Sequence, residues 1–266
     1  MTRIVLTNDD GVFSPGLHAL AIALTKEGHE ITVAAPSSER SGWGAGVGTL
    51  DNGAEFEIQE YTIPSAPDIE AWGVDGPPAF CVLTAMLGTF GKPPELVISG
   101  SNDGANCGRG ILHSGTVGAA MIAQNFGISG IAISQKRTES PMLWETSGFV
   151  ATAAATWIMK APRKTVLNIN VPNKPIAQIR GVQWGRIAAF GTTKTSLEGT
   201  IPGKLRIVVS PRDVELKQDT DTALVDEGYI AVTSLTGFRS ELDSSDDAPA
   251  QIEAFLRSKN GSGEIS

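Results

Sequence analysis

The 266-residue sequence has little cysteine and fewer basic than acidic residues, and both shortages narrow the class of protein. Cys81 and Cys107 form neither a C-x-x-C pair nor a zinc-type spacing, which excludes a disulfide scaffold or a zinc module and predicts reduced thiols. The net charge of −8 disfavours a nucleic-acid duplex as a partner, because such binders need a basic surface that displaces counterions.

Long apolar runs are also missing. No stretch approaches the ~20 residues of a membrane-spanning helix, and the first residues, M-T-R-I-V-L, lack the pattern of a signal peptide. We therefore expect a cytoplasmic protein without a membrane partner. Hydrophobic residues at 41% and charged residues at 19% are ordinary for a globular enzyme, while 30 glycines and 15 prolines predict many functional loops.

Segments with strand-like and helix-like apolar spacing alternate through the first two thirds of the chain. A short strand followed by a helix and another strand is typical of β-α-β units with parallel strands. The pattern predicts an α/β fold with a doubly wound sheet between two helical layers, a three-layer core. We predict strands at residues 4–6, 30–35, 96–99, 128–134 and 165–171, and helices at residues 17–29, 79–87, 117–126 and 147–159.

The pattern changes after Pro172. Strand-like segments at 179–190, 204–209 and 229–235 follow one another without long helices, which predicts a C-terminal β-rich extension that provides an oligomer contact. We expect one domain over residues 1–240, with its core at 1–175 and the extension at about 176–235. Residues 241–266 are expected to form an acidic turn at 243–247, a helix at 248–257 and a flexible tail.

The first strand ends in two adjacent carboxylates, Asp9 and Asp10. On a continuing strand they would point to opposite faces, so they converge only if the backbone turns, which Gly11 permits. Ligands of open parallel sheets bind at the carboxyl ends of the strands, and oxygen donors gathered there suit Mg²⁺ or Mn²⁺. The alternative is that the pair forms Asx turns that cap the first helix.

Two further strand ends supply neutral oxygen donors. Ser41 follows the second strand in S-S-E-R-S-G, and Asn102 follows the next clear strand in S-G-S-N. Two carboxylates, a hydroxyl and an amide would leave a divalent ion with open positions for water or phosphate, which suits catalysis. We therefore predict a catalytic metal site formed by Asp9, Asp10, Ser41 and Asn102.

A helix begins at the H-S-G-T sequence that starts with His113, directly after a Gly- and Asn-rich loop. Its free N–H groups and the hydroxyls of Ser114 and Thr116 would suit a phosphate. The alternative is an ordinary helix N-cap formed by Ser114. Arg40 and Arg109 are candidates for added positive charge, and His113 is a candidate proton donor.

Four segments in this order resemble the SurE (survival protein E) family of metal-dependent nucleotidases: L-T-N-D-D-G-V-F-S-P-G, A-P-S-S-E-R-S-G, S-G-S-N-D-G-A-N-C-G and H-S-G-T-V-G-A-A-M. N-I-N-V-P-N at 168–173 and D-T-A-L-V-D-E-G-Y-I-A-V-T-S-L at 221–235 are similar to the remaining family signatures. The similarity extends over nearly the whole chain up to about residue 235.

The resemblance implies a phosphomonoesterase with a Rossmann-like core and one divalent metal ion per subunit, Mg²⁺ or Mn²⁺. Its implied substrates are nucleoside 5′- or 3′-monophosphates, and its implied assembly is a homodimer or homotetramer formed through the extension. By family pattern, the metal ligands are Asp9, Asp10, Ser41 and Asn102, and the phosphate or substrate contacts are Asn8, Gly11, Asn106, Ser114, Gly115 and Thr116.

Three positions depart from the family pattern. Trp43 and the glycines after it stand where relatives often carry polar residues, Phe80 stands where an Asp commonly precedes Cys81, and His113 stands where Tyr is frequent. These departures leave the four implied metal ligands intact, but they change the side of the site that is expected to recognise the nucleobase of the substrate. Two alternatives stay open, a non-catalytic nucleotide- or metal-binding module and a phosphatase of substrates such as short polyphosphate. Attack by water and attack by Asp9 are also both open.

Overall fold

The computed structural model describes residues 1–191, 193–201, 203–211, 215–237 and 249–253. Residues 1–235 form one compact unit, and a second unit begins at Thr236. Within the second unit, residues 249–253 are helical, while the predicted acidic turn, the tail and the rest of the predicted 248–257 helix lie outside the described residues. In the part of the chain that is described, no helix is long and apolar enough to cross a membrane.

Within the first unit, the described chain contains eleven strands and five α-helices. In chain order they are β1 (Arg3–Thr7), α1 (Pro15–Lys26), β2 (Glu30–Pro36), β3 (Ile58–Glu60), β4 (Glu70–Val74), α2 (Pro78–Met86), β5 (Leu96–Asp103), α3 (Gly115–Ile122), β6 (Ser129–Gln135), α4 (Trp144–Ile158), β7 (Val166–Val171), β8 (Val182–Trp184), β9 (Thr193–Ile201), β10 (Lys204–Pro211), α5 (Asp221–Glu227) and β11 (Ile230–Leu235). Short 3₁₀ helices cover Gly108–His113, Ala123–Phe126 and Ile176–Gln178.

Nine of these strands form one sheet in the order β3-β4-β2-β1-β5-β6-β7-β11-β8. The strands from β4 through β7 in this order are parallel, while β3 and β11 pair antiparallel with their inner neighbours. The chain runs outward from β1 through β2 to β4 and then returns to the other side of β1 as β5. The predicted doubly wound α/β fold is confirmed, and its topological switch point lies between β1 and β5.

Helices cover both faces of the sheet. Leu17, Leu20 and Leu24, which recur along α1 at helical spacing, are fully buried in the same cluster as α4 and one face of β1. Residues of α2 and α3 pack in a second cluster with Val5 of β1. Because both of its faces are covered, β1 is buried from Ile4 onward, which explains its continuous apolar sequence.

The β-rich extension differs in detail from the predicted strands. The strand predicted at 179–190 is limited to β8, and the ribbon of β9 and β10 includes a strand that the sequence pattern does not predict. A helix, α5, also lies where only strands are predicted; Thr220 caps its start and Gly228, at φ +93°, follows its end. These capping residues are visible in the sequence, but a helix of seven residues gives too short an apolar repeat to detect.

The glycine-rich segment after β2 packs against the start of α3. A Cβ atom added to Gly118 would lie 2.3 Å from the carbonyl carbon of Gly44, so only glycine allows this approach. Gly44 adopts a left-handed φ of +54°, and its N–H donates to the carbonyl of His113 at 3.2 Å. The glycine run is therefore a packing element that joins this loop to α3.

Gly118→Ala should reduce the free energy of unfolding by about 1–3 kcal/mol, because the added methyl group would push the two backbone segments apart. Urea denaturation measures this change. The control is Gly110→Ala, whose added Cβ would have no atom within 4 Å. Equal stability of the two variants would contradict the close contact between Gly118 and Gly44.

Candidate functional site

The predicted site residues meet at the carboxyl ends of β1 and β5, on the two sides of the switch point. β5 pairs regularly with β6 up to Ser99 and again from Asn102, with an irregularity between them. Gly100 lies in this irregular segment, and an added Cβ would be 2.2 Å from the carbonyl oxygen of Ile133. The interruption thus places Asn102 at the carboxyl end of β5, next to the loop after β1.

The backbone turns in the loop after β1. Two adjacent carboxylates can converge only if the chain turns in this way. Asn8 accepts a hydrogen bond from the N–H of Gly11 at 3.1 Å, and Gly11 has a φ of +98°. The carbonyl of Asp9 accepts the N–H of Arg40 at 2.8 Å, which joins this loop to the one after β2. The Asx turn is thus made by Asn8, whereas the N-cap of α1 is Ser14.

Asp9 is buried under the start of α3. The hydroxyl of Thr116 donates a short hydrogen bond to Oδ1 of Asp9. An added Cβ on Gly115 would lie 2.9 Å from Oδ2 of Asp9, so glycine is needed where the helix approaches this carboxylate. Burial raises the pKa of Asp9, while the Thr116 hydroxyl and the amides of Gly115 and Thr116 lower it in part.

Asp10 lies beside Asp9 and is half-buried. Its Oδ2 accepts the N–H of Asp103 at 3.2 Å, which ties the β1 loop to the end of β5. Burial, followed by the negative charge of Asp9, raises the pKa of Asp10 to about 6. The Asp103 carboxylate is itself paired with Arg137 at 2.9 Å.

Asn102 contacts Thr116, the residue that also binds Asp9, whereas Ser41 contacts Glu39 on its own loop. Oδ1 of Asn102 is 3.4 Å from the Thr116 hydroxyl, and its amide donates to the carbonyl of Gly104 at 2.7 Å. The Ser41 side chain is exposed and donates to Glu39 at 3.0 Å. The structure therefore brings Asp9 and Asn102 together at Thr116, with Asp10 held next to Asp9 by the N–H of Asp103 and Ser41 on the adjacent loop after β2.

The start of α3 has the features of both interpretations drawn from its sequence. Ser114 is the N-cap, and its Oγ accepts the N–H of Val117 at 3.2 Å. The N–H groups of the first helical turn have no partner within the helix, and those of Gly115 and Thr116 act on the Asp9 carboxylate, so this helix start already stabilises a negative charge. An N-cap serine and a phosphate-binding helix start are thus compatible here.

Asn106 is held by asparagines of β7. Its N–H donates to Asn170 at 2.8 Å, and its carbonyl accepts the amides of Asn168 and Asn170 at 2.9 and 3.0 Å. Its side chain donates to Ser134 at 2.8 Å. Asn168 and Asn170 are fully buried, so their role is to fix the loop that leads to α3. Two asparagines in an apolar strand are a sequence signal for such a role.

Asp221 is a positioning residue that sequence reasoning missed. It is fully buried, and its carboxylate accepts the N–H groups of Gly108 and Ala188 at 2.9 Å each and that of Thr222 at 2.8 Å. These bonds join the C-terminal extension to the loop before α3. Gly108 and Ala188 lie 113 and 33 residues away from Asp221 in sequence, so no local pattern reveals these contacts.

The remaining candidates have other contacts. Arg40 is paired with Asp75 at 2.8 Å, and Arg109 and His113 have exposed side chains on the 3₁₀ helix before α3. Phe80 is buried and packs against Phe56, with 4.4 Å between ring centroids. Phe80, which stands where the family pattern commonly has Asp, is therefore part of the hydrophobic core.

The donor set fits a divalent cation. No ion pair within the described ranges involves Asp9 or Asp10. Two adjacent, largely buried carboxylates with raised pKa values repel each other, and a dication would relieve this repulsion. Among the residues that the structure describes, no cluster of three or more His, Cys, Asp or Glu could hold a metal, so amide, hydroxyl or water oxygens would complete the coordination.

Comparisons with known proteins point to one family. The family model described as survival protein SurE matches residues 4–195. The 5′-nucleotidase SurE of Carboxydothermus hydrogenoformans is 37% identical over 238 residues, covering 87% of this chain and 89% of the relative. The 5′/3′-nucleotidase SurE of Cronobacter sakazakii is 34% identical over 238 residues, covering 88% and 89%. The crystal structure of the SurE protein from Aquifex aeolicus has a TM-score of 0.72 and 30% identity, covering 96% of this chain and 99% of that one.

Asp10→Asn should stabilise the chelator-treated protein at about pH 7 by on the order of 1–3 kcal/mol. The pKa of Asp10 rises from 3.8 to about 6 on folding. Between about pH 4 and 6 the unfolded chain therefore loses this proton before the folded chain does, and folding stability falls as the pH rises. Urea denaturation at both ends of this window measures the effect.

The exposed Asp51 supplies the matched control for this prediction. Asp51→Asn removes one exposed carboxylate that lies outside the candidate site. If Asp10→Asn gave the same profile as Asp51→Asn, the raised pKa of Asp10 would be wrong.

Proposed function

The chain belongs to the survival protein SurE family, and on this basis we propose that it is a metal-dependent nucleotidase. The reaction is hydrolysis of nucleoside 5′-monophosphates, and also of 3′-monophosphates, to nucleoside and phosphate. The observation that supports it most directly is the contact between Asp9 and the start of α3, which joins a carboxylate pair to an anion-binding helix start.

The proposed metal ligands are Asp9, Asp10, Ser41 and Asn102, and the proposed ion is Mg²⁺ or Mn²⁺. When bound, the ion would supply Lewis-acid stabilisation of phosphoryl oxygens and lower the pKa of a bound water. The protein itself orients the two carboxylates. Thr116 holds Oδ1 of Asp9, and the N–H of Asp103 holds Oδ2 of Asp10, so both carboxylates are fixed before substrate binds.

Phosphate binding is assigned to the segment from Ser114 to Thr116, with Asn8, Gly11 and Asn106 as further substrate contacts. The helix start supplies N–H groups and the positive end of the helix dipole. Asn106 is kept in place by β7, which limits reorganisation when the phosphate arrives.

Two routes for attack on phosphorus lead to the same products. Either water attacks, or Asp9 attacks and forms an aspartyl phosphate that water then hydrolyses. Acid quenching during turnover of phosphate-labelled substrate separates them, because only the second route leaves label on the protein.

We further propose that the ribbon of β9 and β10 is a contact between copies of the chain, giving a homodimer or homotetramer. Leu205, Ile207 and Val209 alternate along β10 and are 69%, 64% and 63% exposed, and Leu197 lies opposite Ile207. A two-stranded ribbon with an apolar exposed face is marginal alone. We also infer a cytoplasmic location, since the described cysteines are buried free thiols.

Asp9→Asn should lower kcat for nucleoside monophosphates by roughly 100-fold or more, because it removes charge from the proposed ligand set. Phosphate release is measured with Mg²⁺ or Mn²⁺, after chelation and after the metal is restored. Asp51→Asn, an exposed aspartate, is the matched control and should retain activity. Metal binding without turnover of any nucleotide would instead favour the non-catalytic module, and turnover of short polyphosphate alone would favour the other alternative.

Ile207→Glu should shift the assembly toward monomer, because it introduces charge into the proposed apolar contact. Size-exclusion chromatography with light scattering measures the mass. Arg206→Glu changes the adjacent residue, which alternation puts on the other face of the ribbon, and should preserve the assembly. A wild-type protein that is monomeric at micromolar concentration would contradict the proposed contact.

A further inference from the structure

Trp43 is anchored beside the candidate site from two directions. On its N-terminal side, the N–H of Arg40 donates to the carbonyl of Asp9 at 2.8 Å. On its C-terminal side, the N–H of Gly44 donates to the carbonyl of His113 at 3.2 Å, immediately before the N-cap of α3. Because consecutive residues are about 3.8 Å apart, Trp43 lies within a few residue lengths of both the carboxylates and the phosphate-binding helix start.

The backbone around Trp43 leaves little freedom to move away from this place. The N–H of Gly46 donates to the carbonyl of Trp43 at 3.1 Å and closes a turn. The close approach of Gly44 to Gly118 fixes the same turn against α3. The indole is therefore presented from a loop that is packed on the phosphate-binding helix.

The Trp43 side chain is 46% exposed, although the loop that carries it is packed. The Arg40 guanidinium carbon lies 5.8 Å from the ring centroid, and Asp75 holds the same guanidinium at 2.8 Å. This cation–π contact limits the motion of the ring without burying it. A large, rigid aromatic surface beside a phosphate site is suited to a planar ligand group one sugar away from the phosphate.

We propose that Trp43 is the stacking surface for the nucleobase of the substrate and favours purine over pyrimidine monophosphates. The inference rests on the proposed nucleotidase activity and adds the group that recognises the base. Stacking depends on overlap between ring faces, so the two-ring purines gain more from an indole than the one-ring pyrimidines do. In this proposal, the sugar and the phosphate of the substrate do not stack on the Trp43 indole.

The test compares steady-state hydrolysis of AMP, CMP and ribose 5-phosphate by the wild type, Trp43→Ala and Trp43→Phe. Trp43→Ala should lower the ratio of kcat/KM for AMP to that for ribose 5-phosphate by about 5- to 100-fold, the range of one base-stacking interaction, mainly through KM. The loss should be smaller for CMP, and Trp43→Phe should recover part of it.

Trp157→Ala is the matched control. Trp157 is 49% exposed, close to the value for Trp43, but it lies at the C-terminal end of α4 and packs against Trp184 of β8, the outermost strand of the sheet. It should leave the AMP to ribose 5-phosphate ratio unchanged. Equal losses for AMP and ribose 5-phosphate in Trp43→Ala would assign Trp43 a purely structural role and overturn the proposal.

A binding measurement separates this inference from the proposed activity. AMP should quench tryptophan fluorescence of the wild type, ribose 5-phosphate should not, and Trp43→Phe should lose the AMP effect. Base-dependent quenching without turnover would retain the stacking role and reject the nucleotidase. Turnover of AMP with an unchanged ratio and no Trp43-dependent quenching would retain the nucleotidase and reject the stacking role.

Discussion

The structure depends on keeping two adjacent carboxylates largely out of water at the end of its central strand. Burial opposes the charge of Asp9 and Asp10, and each raises the cost of charging the other. The fold offsets part of this cost with a hydroxyl and helix amides at Asp9 and with the Asp103 amide at Asp10. Such an arrangement is unfavourable for an isolated protein and favourable for one that binds a cation.

The groups that hold this centre come from all parts of the chain. The loop after β1 supplies the carboxylates, the interrupted β5 supplies Asn102, and α3 supplies Thr116. Around them, buried asparagines of β7 and the carboxylate of Asp221 fix the loop before α3. Each of these buried polar groups has partners that would be costly to lose, so the site is built as one rigid network rather than as separate loops.

The sequence predicts the layered fold and much of the site because those features have local signals. Apolar periodicity reveals the β-α-β units, and strand ends rich in Asn, Asp, Ser and Gly reveal where ligands bind. The role of Asp221 and the ribbon partner of β10 depend on contacts that sequence spacing does not encode. Phe80 shows the same limit, since its place in the core depends on contacts with residues that are distant in sequence, such as Phe56. The glycine run has a local signal, but its reason, contact with Gly118, is three-dimensional.

The bonds of Asp221 also bear on how the protein is made. The carboxylate holds Gly108 at 2.9 Å across 113 residues of sequence. A ribosome that has released only the first two thirds of the chain has produced both aspartates and α3, but not the residue that fixes the loop before α3. The centre is thus completed late in synthesis, after the C-terminal extension has emerged. A nascent or truncated chain that stops before this point has the proposed catalytic residues without the framework that positions them.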